Sequence, residues 1–168
     1  RELGGSVLLD LSPPLDPEIA SLGLRTPEFF TVTVGSGVEL HGALLPPRVI
    51  EPGKKYPVVV MVYGGPHAQT VLNHFSPRLI WQHLADRGFV VMQVDNRGSG
   101  GRGPAFEAPL AGKLGDVELA DQVAALDAVA KRPYVDPNRV GIYGHSYGGF
   151  MAALALLKAP DKFHVGVS

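Results

Sequence analysis

Ser146 stands between Gly144 and Gly148 in the run Gly-Ile-Tyr-Gly-His-Ser-Tyr-Gly-Gly-Phe-Met, residues 141–151. A serine hydroxyl becomes a nucleophile when a base takes its proton and nearby donors stabilise the oxyanion that follows. The G-x-S-x-G spacing meets the geometric half of that demand. A sharp strand-to-helix turn lifts the hydroxyl above a sheet, strains the serine backbone, and brings neighbouring chain so close that only glycine fits on either side. The pattern alone also describes an ordinary glycine-bracketed turn. Its surroundings favour the nucleophile: Val140–Tyr143 predicts a strand immediately before it, and the Ala/Leu-rich Tyr147–Lys158 a helix immediately after.

A nucleophile elbow needs a second oxyanion donor from the loop that follows an earlier strand. Tyr63-Gly64-Gly65-Pro66-His67 follows the Val58–Val62 run at that place. Its glycines allow a tight fold beside the serine, and Tyr63 offers a phenol. The bland alternative is a turn that merely ends a strand.

Two other patterns compete for a chemical role. Gly98-Ser99-Gly100-Gly101-Arg102-Gly103 matches G-x-G-x-x-G after a strand. A dinucleotide site needs a helix opening directly from those glycines, and Pro104, Pro109, Gly112 and Gly115 argue against one. Asp95-Asn96-Arg97 in the same loop is expected to anchor it through local hydrogen bonds. The histidines at 41, 67, 74, 83, 145 and 164 lack metal-site spacing, so neither a metal nor another cofactor is expected. His145 adjoins the serine, but neighbours in a tight elbow point apart, which makes it a packing residue rather than the base.

Elements of alternating type must position these groups. Phe29–Val34 and Val38–Leu45 flank Gly35-Ser36-Gly37 as an antiparallel hairpin. Val58–Tyr63 and Phe89–Val94 are apolar runs suited to strands buried on both faces, with a helix over Pro77–Arg87 between them. Asp116–Arg132 predicts a helix with Val117, Ala120, Val123, Ala124 and Val129 on one side. Its early Asp116, Glu118 and Asp121, and its late Lys131 and Arg132, match the macrodipole. Phe163–Val167 begins a further strand. The pattern is that of an α/β fold: a leading hairpin, then a mostly parallel sheet with helices on both faces.

Composition narrows the class. The 168 residues carry a net charge of −1, which gives no electrostatic case for nucleic acid. The chain holds no cysteine, so disulfides and thiolate chemistry are excluded. No apolar run approaches the roughly 20 residues that span a bilayer. The Pro-rich residues 1–28 are expected to be a linker, and residues 29–168 an incomplete catalytic domain. The compartment is open between cytoplasm and periplasm.

The elbow Gly-His-Ser-Tyr-Gly-Gly-Phe-Met, the loop Val-Tyr-Gly-Gly-Pro-His-Ala-Gln, Asp-Asn-Arg-Gly-Ser-Gly-Gly-Arg-Gly, and the helix start Leu-Gly-Asp-Val-Glu-Leu-Ala-Asp-Gln occur together, in this order. Over about residues 27–168 the chain resembles the prolyl oligopeptidase family of serine peptidases. Tyr63 and Tyr147 place it nearest the dipeptidyl peptidase IV-like branch, although His145 stands where that branch usually carries tryptophan. The resemblance implies an α/β-hydrolase domain that packs against a β-propeller, here missing, and is compatible with a homodimer of the full-length enzyme. It implies a peptide substrate cleaved after Xaa-Pro or Xaa-Ala. Ser146 would be the acyl-forming nucleophile, with the Tyr63 hydroxyl and the Tyr147 backbone N–H as oxyanion donors. The Tyr147 ring would line the pocket for the penultimate proline.

The triad in this fold runs Ser, Asp, His. Beyond Ser146 the chain contains one Asp and one His, Asp161 and His164, both at a helix end or strand start. The expectation is a nucleophile and oxyanion hole without their base. An acylaminoacyl-peptidase or a carboxylesterase would share the elbow, and a binding module with a vestigial serine is the alternative of another class.

Overall fold

The computed structural model describes residues 16–168, apart from Ser36 and Phe75. Six strands form one sheet in the order β1-β2-β4-β3-β5-β6. These are β1 (Glu28–Val34), β2 (Val38–Leu45), β3 (Tyr56–Val62), β4 (Val90–Asp95), β5 (Val135–Gly144) and β6 (Val165–Val167). The hairpin β1–β2 is antiparallel, and β2 joins β4 antiparallel. The pairs β4–β3, β3–β5 and β5–β6 are parallel. The hairpin followed by a parallel sheet therefore matches the sequence expectation.

The strands fold this way because their side chains bury on both faces. On one face Val58, Val60, Met92, Val94 and Ile142 pack beneath α4 (Asp116–Ala130) and α5 (Tyr147–Lys158). On the other, Ala43, Leu45, Met61 and Val91 pack beneath α2 (Leu79–Asp86), through Trp81 and Ala85. Each fully buried Val, Leu or Ile contributes about 1.5–3 kcal/mol relative to an exposed one. Among the described residues no helix is long and apolar enough to cross a membrane.

Two local expectations change. Of the side of α4 expected to face inward, Val129 is buried and Val123 and Ala124 pack partly buried against the core, but Val117 is only half-buried and Ala120 is exposed. The fully buried side also takes in Glu118, Leu119, Asp121, Gln122, Ala125 and Leu126. Buried polar groups are tolerated where they find partners; Glu118 and Asp121 do, and Gln122 donates from Nε2, while its Oε1 has no protein partner among the described residues. After Gly103 a one-turn helix, α3 (Pro104–Glu107), and a short 3-10 turn (Ala108–Leu110) stand where Pro104 and Pro109 argued against a helix. Proline is compatible there because the first turn of a helix needs no intrahelical N–H.

The segment expected to be a linker is described only in part. Its first 15 residues lie outside the described residues. Within the remainder, α1 (Pro17–Ser21) is capped by Asp16, whose carboxylate accepts from Glu18 N–H at 2.8 Å. Arg25 then donates to the Pro46 carbonyl at 2.7 Å. The Gln82 amide brackets its backbone, accepting from Arg25 N–H and donating to its carbonyl. This part is tied to α2 and the end of β2.

The connections place one crevice. From β3 the chain leaves toward α2 on one face, and from the adjacent parallel strand β5 it enters α5 on the other. Such a switch point opens a crevice at the carboxyl ends of the two strands, where ligands of open α/β sheets bind. Both Gly144 and Tyr63 lie there.

Candidate active site

Strand β5 ends at Gly144 and α5 begins at Tyr147, so only His145 and Ser146 make the turn. Ser146 adopts φ 59 and ψ −121, outside the regions an L residue favours. Such a conformation costs about 1–3 kcal/mol and persists only where the surroundings over-determine it. They do so through backbone. A Cβ on Gly148 would lie 2.2 Å from the Val62 carbonyl oxygen, and one on Gly144 would lie 2.2 Å from that of Gly148. The helix starts at once: Gly149 N–H and Phe150 N–H donate to the Ser146 carbonyl at 2.9 and 3.1 Å. Ser146 is exposed above the sheet. Gly148 N–H donates to the His145 carbonyl at 2.9 Å, and the Tyr147 N–H, the first of α5, adjoins the serine.

His145 is exposed, which corrects the expectation that it packs beneath the elbow. His164 sits at the opposite end of the sheet, its Nδ1 accepting from Val140 N–H at 3.2 Å. Four residues of β5, about 13 Å of strand, separate Val140 from Gly144. Asp161 is exposed beyond the end of α5. Neither reaches Ser146.

The loop after β3 comes to the serine's side. The Tyr63 ring lies 6.3 Å from that of Tyr147, tilted by 41°. Gly65 makes room for both: a Cβ there would lie 2.7 Å from the Tyr63 ring and 3.0 Å from that of Tyr147. Asn96, fully buried, donates from Nδ2 to the Gly64 carbonyl at 3.1 Å and to the Arg97 carbonyl at 2.7 Å. Gln122 Nε2 in turn donates to Asn96 Oδ1 at 2.9 Å and to the Val94 carbonyl at 3.2 Å. Downstream, Asp95 accepts from Thr70 N–H, Thr70 Oγ1 and Val71 N–H at 2.8, 2.6 and 3.0 Å.

Asp95-Asn96-Arg97 is thus an anchor, but most of its partners are remote in sequence rather than local. Arg97 pairs with Asp121 through Nη2 to Oδ1 at 2.7 Å and Nε to Oδ2 at 3.0 Å, and its backbone N–H adds a third bond. Hydrogen bonding to Asp121 raises the Arg97 pKa further. The Gly98–Gly103 loop packs against the β3 loop, since His67 N–H donates to the Gly98 carbonyl at 2.8 Å. A Cβ on Gly100 would strike the His67 carbonyl oxygen at 2.4 Å.

Tyr147 is half-buried. Its hydroxyl donates to Glu118 Oε1 at 2.5 Å, and its ring meets Phe150 edge-on at 5.3 Å. Burial first, and then the bond to Glu118, push the phenol far above the ordinary tyrosine pKa. Glu118 itself is 0% exposed, and its other oxygen accepts from Gly115 N–H at 2.9 Å.

The structure therefore brings the Tyr63 ring beside Tyr147, the residue that follows Ser146 in the elbow. Sequence reasoning named Asn96 as a loop anchor but missed Glu118, Asp121 and Gln122 as the groups beneath them. The one signal was that Glu118, Asp121 and Gln122 all fall in the Leu-Gly-Asp-Val-Glu-Leu-Ala-Asp-Gln motif, where the acids read as helix-dipole partners.

Comparison with known proteins agrees with this geometry. Residues 73–168 match the model of the prolyl oligopeptidase family. The chain is 42% identical over 145 residues to dipeptidyl peptidase 8 of Homo sapiens, an alignment covering 84% of this chain and 16% of that protein. The crystal structure of Porphyromonas gingivalis dipeptidyl peptidase 4 superposes with a TM-score of 0.83 at 35% identity, covering 94% of this chain and 23% of that one. The chain spans less than a quarter of either relative.

Proposed function

Because the chain belongs to the prolyl oligopeptidase family, we propose that it carries the nucleophile and oxyanion hole of a serine peptidase that releases N-terminal Xaa-Pro or Xaa-Ala dipeptides. Ser146 Oγ attacks the carbonyl carbon of the penultimate residue, and its proton passes to an imidazole base. The Tyr63 hydroxyl and the Tyr147 backbone N–H hold the oxyanion. The C–N bond breaks as the imidazolium protonates the leaving amine, and water then hydrolyses the acyl-enzyme. The Tyr147 ring lines the pocket for the penultimate proline. The base and the Asp that orients it come from outside the described residues. In the same reading residues 1–28 lead from a β-propeller domain, and residues 29–168 form part of the catalytic domain.

The observation that carries this is Ser146 itself. A non-glycine residue at φ 59, exposed, at the start of a helix and at the sheet's switch point is a costly arrangement, and strain of this kind clusters at functional sites. The name dipeptidyl peptidase, borne by the relatives, supports the substrate class.

In the full-length protein, a fluorophosphonate should label Ser146, and a Gly-Pro chromogenic amide should be turned over until Ser146→Ala abolishes both. Preference for simple esters over Xaa-Pro amides would favour a carboxylesterase, and failure to label would favour a binding module. The 168-residue chain alone should not turn the amide over. Steady release that Ser146→Ala removes would contradict the external base.

A further inference from the structure

Glu118 is a fully buried acid whose only side-chain partners among the described residues are a backbone N–H and the Tyr147 hydroxyl. We propose that Glu118 is a positioning residue for the substrate pocket: it fixes the Tyr147 ring from behind, and so sets the shape of the pocket that Tyr147 lines. This rests on the peptidase reading above and adds to it the residue through which α4 reaches the site.

Three observations converge on this assignment. Glu118 cannot touch a substrate, because none of its surface is open to solvent. Its carboxyl group is held at both oxygens. Oε2 accepts from Gly115 N–H at 2.9 Å, the back-bond of an acidic residue in the third position of a helix, and Oε1 accepts from the phenol at 2.5 Å. Finally, the contact between α4 and α5 is shaped to allow the reach. Gly115 has φ 93, and a Cβ there would lie 2.6 Å from Leu154 Cδ2 and 3.2 Å from the Phe150 ring. The absence of a side chain lets the start of α4 close on α5, beside the Phe150 ring that packs edge-on against Tyr147. Tyr147 is thereby restrained at its hydroxyl by Glu118, at one ring edge by Phe150, and on the other side by Tyr63.

The bond acts on the ring and not on the backbone N–H of Tyr147, which α5 fixes independently. Loss of the bond should therefore weaken substrate binding more than the chemical step. The test is a double-mutant cycle of Glu118→Met, which keeps the chain length but has no oxygen, and Tyr147→Phe in the full-length protein, on a Gly-Pro amide, with fluorophosphonate labelling of Ser146 alongside. Each single variant should raise KM about three- to tenfold, the range of one lost hydrogen bond. Both should leave kcat within about twofold and labelling intact, and the double variant should be no worse than either single. Effects that multiply in the double variant, or a fall in kcat at unchanged KM, would overturn the proposal.

A second readout does not need catalysis. 3-Fluorotyrosine placed at position 147 should change its 19F resonance on Glu118→Met, and an unchanged resonance would overturn the proposal even in an inactive protein. Absence of labelling and turnover in the unmutated protein would count against the peptidase reading alone.

Discussion

At Ser146 the unfavourable backbone is imposed by neighbours that lack side chains. The Val62 carbonyl occupies the space where a Gly148 Cβ would sit, and a main-chain oxygen inside a sheet cannot rotate aside. Gly148→Ala should therefore cost more than a helix propensity scale suggests, since Ala is otherwise the better helix former. Overpacking of this kind costs about 1–3 kcal/mol. The expected outcome is a lowered thermal midpoint together with loss of fluorophosphonate labelling, because relief of the clash must move the serine. A midpoint equal to that of the unmutated protein would show that the elbow is looser than the geometry implies. This part of the site was legible in the sequence, because a steric demand for glycine is written in the glycines themselves.

Helix α4 illustrates where that legibility stops. Its apolar residues suggested an inward face of Val117, Ala120, Val123, Ala124 and Val129; Val129 is buried and Val123 and Ala124 are partly so, yet Glu118, Asp121 and Gln122 are buried more completely than Val117 or Ala120. Hydrophobic periodicity registers apolar side chains, and it cannot register a polar one whose partner lies 24 or more residues away. Asp121 binds Arg97, Gln122 binds Asn96, and Glu118 binds Tyr147. The strands and α5 were readable because their burial is apolar and local, whereas the face of α4 depends on pairings that only the assembled sheet creates. The same pairings make the helix a support for both sides of the crevice, since Asn96 carries the Gly64 carbonyl and Glu118 carries Tyr147. Asp121→Ala would leave Arg97 without its carboxylate and the Arg97 backbone N–H without its acceptor. Breaking a fully buried pair costs about 3–5 kcal/mol. Arg97 retains 25% exposure, so about 2–3 kcal/mol is the better expectation, measurable by urea denaturation. A change below about 0.5 kcal/mol, the usual range for surface substitutions, would mean that water replaces the carboxylate at little cost.

For the molecule as a whole, the two faces of the sheet are unequally covered. Helices α4 and α5 close one face, but on the other α2 reaches only as far as β3 and β4. Beyond it a groove of about 500 Å³ runs over β3, β5 and β6, floored by Met61, Tyr143, Val165 and Val167 and flanked by Ile80 and Phe89. Tyr143, Val165 and Val167 are 38%, 62% and 54% exposed, and Ile80 is 50% exposed. Among the described residues strand β6 is the last of the sheet on this side and lies beside the groove. Contiguous apolar surface next to an open strand edge is the combination that drives non-specific association. The 168-residue chain, studied on its own, should therefore bind a hydrophobic reporter dye while fully folded and sediment in a concentration-dependent manner. Val165→Lys with Val167→Lys should reduce both effects, because the charges break the apolar surface and discourage strand pairing without entering the core on the α4–α5 face. A monomeric, dye-free chain would show that the groove is closed in solution. A double-lysine variant that aggregated as before would place the adhesive surface elsewhere on the molecule.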